Sequence, residues 1–478
     1  MHFSANVAEI IELSNEKLLR KKYYFCGQFC FVKLQYNTKE MKVLKFGGTS
    51  VGSAARMRDV AKLICDGEQK IVVLSAMSGT TNNLVEISDY LYKNNISGGL
   101  ERINVLEQKY IDVIEDLFST PEFKSEAKVV IKSLFEYLRS FSKSVFTLFE
   151  EKAILAQGEL LSTTIFQLYL NEIGEKSALI PALEFMRIDK NGEPDSNFIA
   201  ENLAKQLSEQ QGNTIYITQG FICRNIYGEI DNLQRGGSDY SASLIGAAVK
   251  ADEIQIWTDI DGMHNNDPRF VEGTQPVPVL HFEEAAELAY FGAKILHPTC
   301  ILPAKLNNIP VRLLNTMDPK APGTLISTKS KKGKIEAVAA KDGITAIKIK
   351  SGRMLLAHGF LRKVFEIFES YQTPIDMITT SEVGVSVSID NLKRLDEIVN
   401  DLKKFGTVTV DKDMVIICVV GDMNFENIGF QAKVVGALSE IPIRMISYGG
   451  SNYNISFLIK SSDKKRALNA LSDSLFRD

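Results

Sequence analysis

Residues 41–53 read Met-Lys-Val-Leu-Lys-Phe-Gly-Gly-Thr-Ser-Val-Gly-Ser. The run at 42–46 has the composition of a short buried strand, and it stops at two adjacent glycines followed by hydroxyl residues. Such glycines let backbone N–H groups approach an anion closely, Thr49 and Ser50 add hydroxyls, and Lys45 brings a positive charge to the same spot. The loop has phosphate-binding chemistry without the spacing of a Walker A motif. It is not a dinucleotide fingerprint either, because Thr49 stands where that pattern needs glycine. Taken alone, a strand ending in Gly-Gly also reads as an ordinary turn.

Outward from that loop, apolar strands at 71–74, 214–218 and 253–258 alternate with longer helical stretches, and a helix over 238–251 is expected to start on a Ser238 cap. Alternation of this kind predicts an α/β fold, a three-layer α/β/α domain over 41–328 with a mainly parallel sheet. A second hydroxyl-rich loop, LSAMSGTTN at 74–82, follows the strand at 71–74, and a third, RGGSD at 235–239, opens the helix. Strand ends of a parallel sheet face the ligand crevice, so these loops suit one shared site. Each alone also reads as a solvated turn, with Asp239 merely complementing the helix dipole.

Residues 329–340 are polar and basic at their start and read as a linker. Beyond them the chain repeats itself: PIDMI at 374–378 returns as PIRMI at 442–446, each after an amphipathic helix and before an alternating strand. The order in each copy is that of a ferredoxin-like βαββαβ unit, which assigns 341–410 to one unit and 411–478 to a second. Residues 1–40 differ from the rest and are expected to be a peripheral or poorly ordered extension, with Met41 as a candidate start.

Bulk properties narrow the function classes. In 478 residues, 55 Lys and Arg face 59 Asp and Glu, a net charge of -4 that argues against a nucleic-acid or anionic-membrane surface. The most apolar stretch, residues 23–34, falls short of the roughly 20 residues that span a bilayer and lacks a cleavage site of the secretory kind. Six scattered cysteines form no disulfide framework, and Cys26 and Cys30 have no second pair to complete a zinc site. The cytoplasm is the expected location, and no metal ligand is assigned.

KFGGTSV at 45–51, AQGELLST at 156–163 and RGGSDY at 235–240 occur in this order. They are followed by WTD at 257–259, DPR at 267–269 and FGAK at 291–294 leading into His297-Pro298. Together these motifs resemble the aspartate kinase branch of the amino-acid kinase family, and the doubled unit resembles the ACT domains that family carries. The resemblance spans about residues 41–478.

It implies MgATP-dependent phosphorylation of the L-aspartate β-carboxylate, with Mg²⁺ held mainly by the ATP phosphates and water. It implies catalysis by Lys45 and Asp239, with Gly47, Gly48, Thr258, Asp259, Arg269 and Lys294 joining Lys45 on the ATP. Ser75, Thr81, Glu159, Arg235 and Ser238 are implied on the amino acid, Arg235 taking its α-carboxylate and Glu159 its ammonium. Glu159 by itself reads as one residue of a solvated helix face. His264 stands near a position where relatives often carry Tyr, which bears on adenine binding. In the first ACT unit the resemblance implies an effector site at Met354, Gly359, Phe360, Leu361 and Asp376, for lysine first and threonine second. Ala357 replaces the Ser of the lysine-sensitive pattern. A homodimer through the ACT units and a monofunctional enzyme are also implied. The alternatives left open are a family member acting on another carboxylate and a catalytically silent amino-acid sensor.

Overall fold

The structure, a computed structural model, describes the backbone at 24–26 and 29–31 and residues 41–143, 145–233, 236–292, 296–329, 333–352 and 358–477. The chain divides into two units, Met1–Lys39 and Glu40–Asp478. In the first, β1 (Tyr24–Cys26) and β2 (Phe29–Phe31) pair as an antiparallel hairpin. The rest of the expectation for residues 1–40 lies outside the described residues.

The second unit holds an eight-stranded sheet built from β3 (Lys42–Phe46), β4 (Lys70–Leu74), β5 (Ser177–Leu179) and β6 (Ile215–Gln219). After a small antiparallel pair, β7 (Ile222–Arg224) with β8 (Ile230–Asn232), it continues with β9 (Glu253–Thr258), β10 (Val279–His281), β11 (Val311–Asn315) and β12 (Thr324–Ser327). The order is β10-β12-β11-β9-β3-β4-β6-β5, parallel throughout except for β11 with β12. The expected mainly parallel sheet is therefore present.

β3 and β4 are buried on both faces, as crossovers that cover both sides require. Val43, Ile71 and Val73 enter one apolar core, while Leu44, Phe46, Val72 and Leu74 enter the other. A fully buried side chain such as Phe46, stacked on Trp257 at 5.7 Å, contributes about 2–3 kcal/mol by area. Because the chain runs from β3 to β4 on one side and places β9 on the other, the sheet changes direction at β3. A crevice is expected at the carboxyl end of such a strand.

A six-stranded sheet follows, made of β13 (Ile335–Lys350), β14 (Met377–Ser381), β15 (Gly384–Ile389), β16 (Thr407–Gly421), β17 (Ile443–Tyr448) and β18 (Asn454–Lys460), in the order β14-β15-β13-β16-β18-β17. Helices Phe360–Ser370, Leu395–Leu402, Phe430–Ala437 and Lys464–Phe476 lie where the repeat predicts them. One expectation is corrected. Residues 335–340, assigned to the linker, are strand: the first part of β13 pairs with residues 416–421 of β16, and the later part with residues 407–414. Each of these two long strands therefore serves both repeat units, and the second unit takes a strand from ahead of the first.

Candidate functional site

The crevice forms where the carboxyl ends of β3, β4, β6 and β9 converge. Past β3 the chain turns, with Ser50 N–H donating to the Gly47 carbonyl at 3.0 Å. Past β4, Ser75 N–H donates to the Phe46 carbonyl at 3.2 Å, and Ser78 N–H donates to the Gly48 carbonyl at 3.0 Å. The two loops are thus stapled side by side. Gly48 is required there, since a Cβ would lie 2.8 Å from the Ala76 carbonyl oxygen. Gly47 N–H is engaged by the Trp257 carbonyl at 3.2 Å, continuing the β3–β9 ladder one residue past the strand. That corrects the expectation of two free glycine amides for phosphate, and leaves the one of Gly48.

Lys45, 9% exposed, forms an ion pair with Asp239 at 2.6 Å. Asp239 lies in the first turn of the helix Gly237–Val249. That helix starts on Gly236 at a φ of 78°, not on a Ser238 side-chain cap. Only glycine adopts this conformation without strain, and a Cβ there would also collide with Cys300. Ser238 instead faces a cleft of about 420 Å³ that Gly48, Thr49, residues 75–79, Thr81, Asn82, Glu159, Phe221 and Gly237 also line.

Glu159 belongs to the helix Leu148–Glu172, whose residues are buried round most of its circumference, so the solvated-face reading fails. The residue is 5% exposed, and its carboxyl accepts from Ala76 N–H at 3.2 Å. Burial pushes its pKa up to about 8, against the pull of the Ala76 amide and Lys45. The helix approaches the loop closely at Gly158, where a Cβ would be 2.8 Å from that of Ala76.

On the nucleotide side the residues are less gathered. Thr258 ends β9, and its hydroxyl donates to Asp259 at 3.1 Å. Arg269 is exposed and bidentate with Asp267, at 2.9 and 2.7 Å. Burial raises the Asp267 carboxyl, but the Arg269 hydrogen bonds outweigh it and hold it below its usual value. Arg269 thus faces Asp267 and does not line the cleft. His264 is fixed between Thr274 at 3.0 Å and Asp261 at 2.8 Å. Arg235, Lys294, Met354 and Ala357 lie outside the described residues.

In the first repeat unit, Gly359 at a φ of 82° caps the helix Phe360–Ser370, with Phe360 buried and Leu361 exposed. Asp376 does not present a free carboxylate beside them. Its side chain is 2% exposed, and its Oδ1 accepts from Lys341 at 2.6 Å and from the Tyr290 hydroxyl at 2.8 Å. Tyr290 ends the helix Phe282–Tyr290 of the eight-stranded domain, so this cluster, whose members are far apart in the chain and carry no local motif, joins the two domains. The equivalent pair in the second unit is Asp411 with Arg444 at 2.8 Å, the same arrangement with its charges reversed.

Comparisons with known proteins follow the same division. The model of the amino acid kinase family matches residues 40–315, and an ACT domain model matches 417–475. Aspartokinase 1, chloroplastic, of Arabidopsis thaliana is 36% identical over 462 residues, which are 91% of this chain and 80% of that protein. Lysine-sensitive aspartokinase 3 of Escherichia coli (strain K12) is 32% identical over 91% of this chain and 99% of its own length. Among solved structures, E. coli aspartokinase III in complex with aspartate and ADP (R-state) superposes with a TM-score of 0.78 at 32% identity, covering 91% of this chain and all of that one. The same enzyme in complex with lysine and aspartate (T-state) gives 0.76, covering 92% of this chain and all of that one.

Proposed function

Because the chain belongs to the amino acid kinase family, within its aspartokinases, we infer that it is an aspartate kinase. It transfers the γ-phosphoryl group of ATP to the β-carboxylate of L-aspartate, making 4-phospho-L-aspartate, the first step towards lysine, threonine and methionine. The observation that carries this reading is the Lys45–Asp239 ion pair set at the mouth of a glycine loop, beside a cleft with one buried carboxylate. An oxygen of the substrate carboxylate attacks the γ-phosphorus as the bond to the β-phosphate oxygen breaks, and ADP leaves with that electron pair. This chemistry needs positioning and charge neutralisation and no covalent nucleophile on the protein.

Lys45 would lie against the transferring group, with Asp239 orienting its ammonium and Gly48 N–H on the γ-phosphate. Glu159 would take the substrate ammonium and Arg235 its α-carboxylate, with hydroxyls from Ser75, Thr81 and Ser238 beside them. Thr258, Asp259, Arg269 and Lys294 are proposed on the nucleotide. Arg269 would leave Asp267 to reach it. Mg²⁺, which enters on the phosphates and water, adds charge neutralisation, and no residue is assigned to it.

One effector site per chain is proposed in the first unit, for lysine first and threonine second, around Gly359 to Leu361. The charge-reversed pair Asp411–Arg444 supports a different role for the second unit. A homodimer through these units fits the exposed apolar side chains Phe365, Ile378, Val435, Ile446 and Tyr448. A cytoplasmic setting fits the free cysteines Cys65, Cys223 and Cys418. Among the described residues no helix is long and apolar enough to cross a membrane.

With MgATP and hydroxylamine, which traps acyl phosphates as coloured hydroxamates, product is expected from L-aspartate and not from L-glutamate or N-acetylglutamate. Lysine is expected to suppress it. Product from another acid alone would replace the substrate, and no product from any acid would leave only a sensor.

Glu159 adds a pH signature. A raised acid pKa means the carboxyl is largely protonated at pH 6 and ionised above about 8, and only the ionised form attracts an ammonium. The KM for aspartate is therefore expected to fall towards about tenfold per pH unit below 8 and to level above it. Glu159→Gln should flatten that profile. A wild-type KM constant from pH 6 to 8 would remove Glu159 from the ammonium. The same group lowers stability as pH rises from its unfolded value, near 4.5, to about 8, because the unfolded chain ionises first.

A further inference from the structure

Gln219 is the last residue of β6, is 1% exposed, and does not itself line the cleft. Its amide is nevertheless engaged at both ends. Nε2 donates to the Thr163 hydroxyl at 2.8 Å, and Oε1 accepts from Ala182 N–H at 2.8 Å. A flipped amide would set its NH2 against the Ala182 N–H, so one orientation alone satisfies both partners. Having accepted that hydrogen bond, the Thr163 hydroxyl donates its own proton to the Glu159 carbonyl one helical turn back, at 2.8 Å. Ser162 completes the frame from the next position, its hydroxyl lying 2.8 Å from the Ser75 carbonyl and 3.1 Å from that of Glu159.

These bonds converge on a single turn of helix. The turn that carries Glu159 is tied by Ser162 to the loop after β4 and by Thr163 and Gln219 to the end of β6. The strand end continues through Gly220 to Phe221, which is itself a wall of the cleft. Gly220 has no room for a side chain, since a Cβ would lie 2.5 Å from that of Ser238. Gln219 thus stands where three parts of the amino-acid pocket meet: the Glu159 helix, the Phe221 wall, and through it the Ser238 end of the helix Gly237–Val249.

We propose that Gln219 is a positioning residue for substrate aspartate: acting through Thr163, it fixes the height of Glu159 along the cleft. This rests on the reading of Glu159 as the ammonium partner. The Glu159 carboxyl meets the loop through a 3.2 Å contact to the Ala76 amide, which does little by itself to set its place. A buried chain of satisfied hydrogen bonds removes that freedom. Its influence falls on binding of the amino acid, and the phosphoryl-transfer residues Lys45 and Asp239 take no part in it.

The test is steady-state kinetics on the full chain with Gln219→Leu, Gln219→Glu, Thr163→Val and Thr163→Ser. Gln219→Glu preserves volume and, where ionised, cannot donate to Thr163, so it covers the case in which leucine disturbs folding. Gln219→Leu, Gln219→Glu and Thr163→Val are each expected to raise the aspartate KM about tenfold, the size of one buried hydrogen bond, with kcat and the ATP KM within about twofold. They should also displace the pH at which the aspartate KM levels, which a purely structural role would not do. Thr163→Ser should behave as wild type, and the Thr163→Val/Gln219→Leu double variant should be no worse than the worse single. Equal losses in kcat and both KM values, or multiplicative effects in the double variant, would overturn the proposal. If instead Glu159→Gln leaves the aspartate KM unchanged, it is the assignment of Glu159 that fails.

Discussion

Lys45→Met is expected to lower kcat about a thousandfold while the aspartate KM moves only a few-fold. Removing one preorganised donor from developing charge typically costs a hundred- to a thousandfold, and here a full positive charge is removed from a site that is nearly closed to water. The side chain is 11% exposed and held by Asp239, so its ammonium does not have to be ordered as the reaction proceeds. Methionine keeps the length and volume of the stem, which leaves β3 and its two apolar faces intact. Asp239, with 16% of its side chain exposed, retains some hydration when its partner goes. ADP release and hydroxamate formation should fall together while the thermal midpoint stays near wild type. A variant keeping more than about a tenth of the wild-type kcat would take Lys45 out of the reaction.

Lys341→Met is expected to act on stability, lowering it by about 3 kcal/mol. Asp376 is 2% exposed, and its Oδ2 has no hydrogen-bond partner, so its place depends on Lys341 and Tyr290. Burial already pushes the Asp376 carboxyl above its ordinary value despite both partners. Breaking a buried ion pair from one side leaves an uncompensated group, at a cost of about 3–5 kcal/mol. The lower end applies because Lys341 is 18% exposed and because Asp376 can escape by taking a proton. Calorimetry should show the transition of the regulatory half moving down. Asp376→Asn added to Lys341→Met should restore much of the loss, because the buried charge is then gone. No rescue, or a single-variant loss below about 1 kcal/mol, would mean that the cluster is not a joint between the domains.

Much of this molecule is legible in its sequence, for identifiable reasons. The strands at 42–46 and 253–258 are found to the residue, because a buried parallel strand is a short apolar run with polar punctuation. The glycine loops and the paired PIDMI and PIRMI motifs are equally plain, being local in the chain. What escapes is whatever depends on distant partners. Residues 335–340 follow a basic stretch and look like its continuation, yet they are strand because β16 lies about 80 residues further on. Glu159 looks solvated because what surrounds it, the Ala76 amide and Lys45, lies more than 80 residues away in sequence. Asp376 looks available because neither Lys341 nor Tyr290 is near it in sequence. The start of the helix at 237 escapes for a different reason: a glycine in a left-handed conformation caps through its backbone, whereas Ser238 has the chemistry of a side-chain cap.

The sharing of β13 and β16 between both repeat units has a practical consequence for anyone recombining such enzymes. At roughly 3.3 Å per residue, the 16 residues of β13 run about 50 Å, one beam shared by both units of a single sheet. A graft that exchanges residues 341–410 as though they were a cassette would cut β13 and β16 partway along, leaving residues 335–340 and 411–421 of the second unit joined to foreign lengths of the same two strands. The smallest piece that can be transplanted whole begins before Ile335 and includes both units. Tuning of effector response by domain exchange therefore has its natural seam ahead of the first shared strand, and none between the repeats.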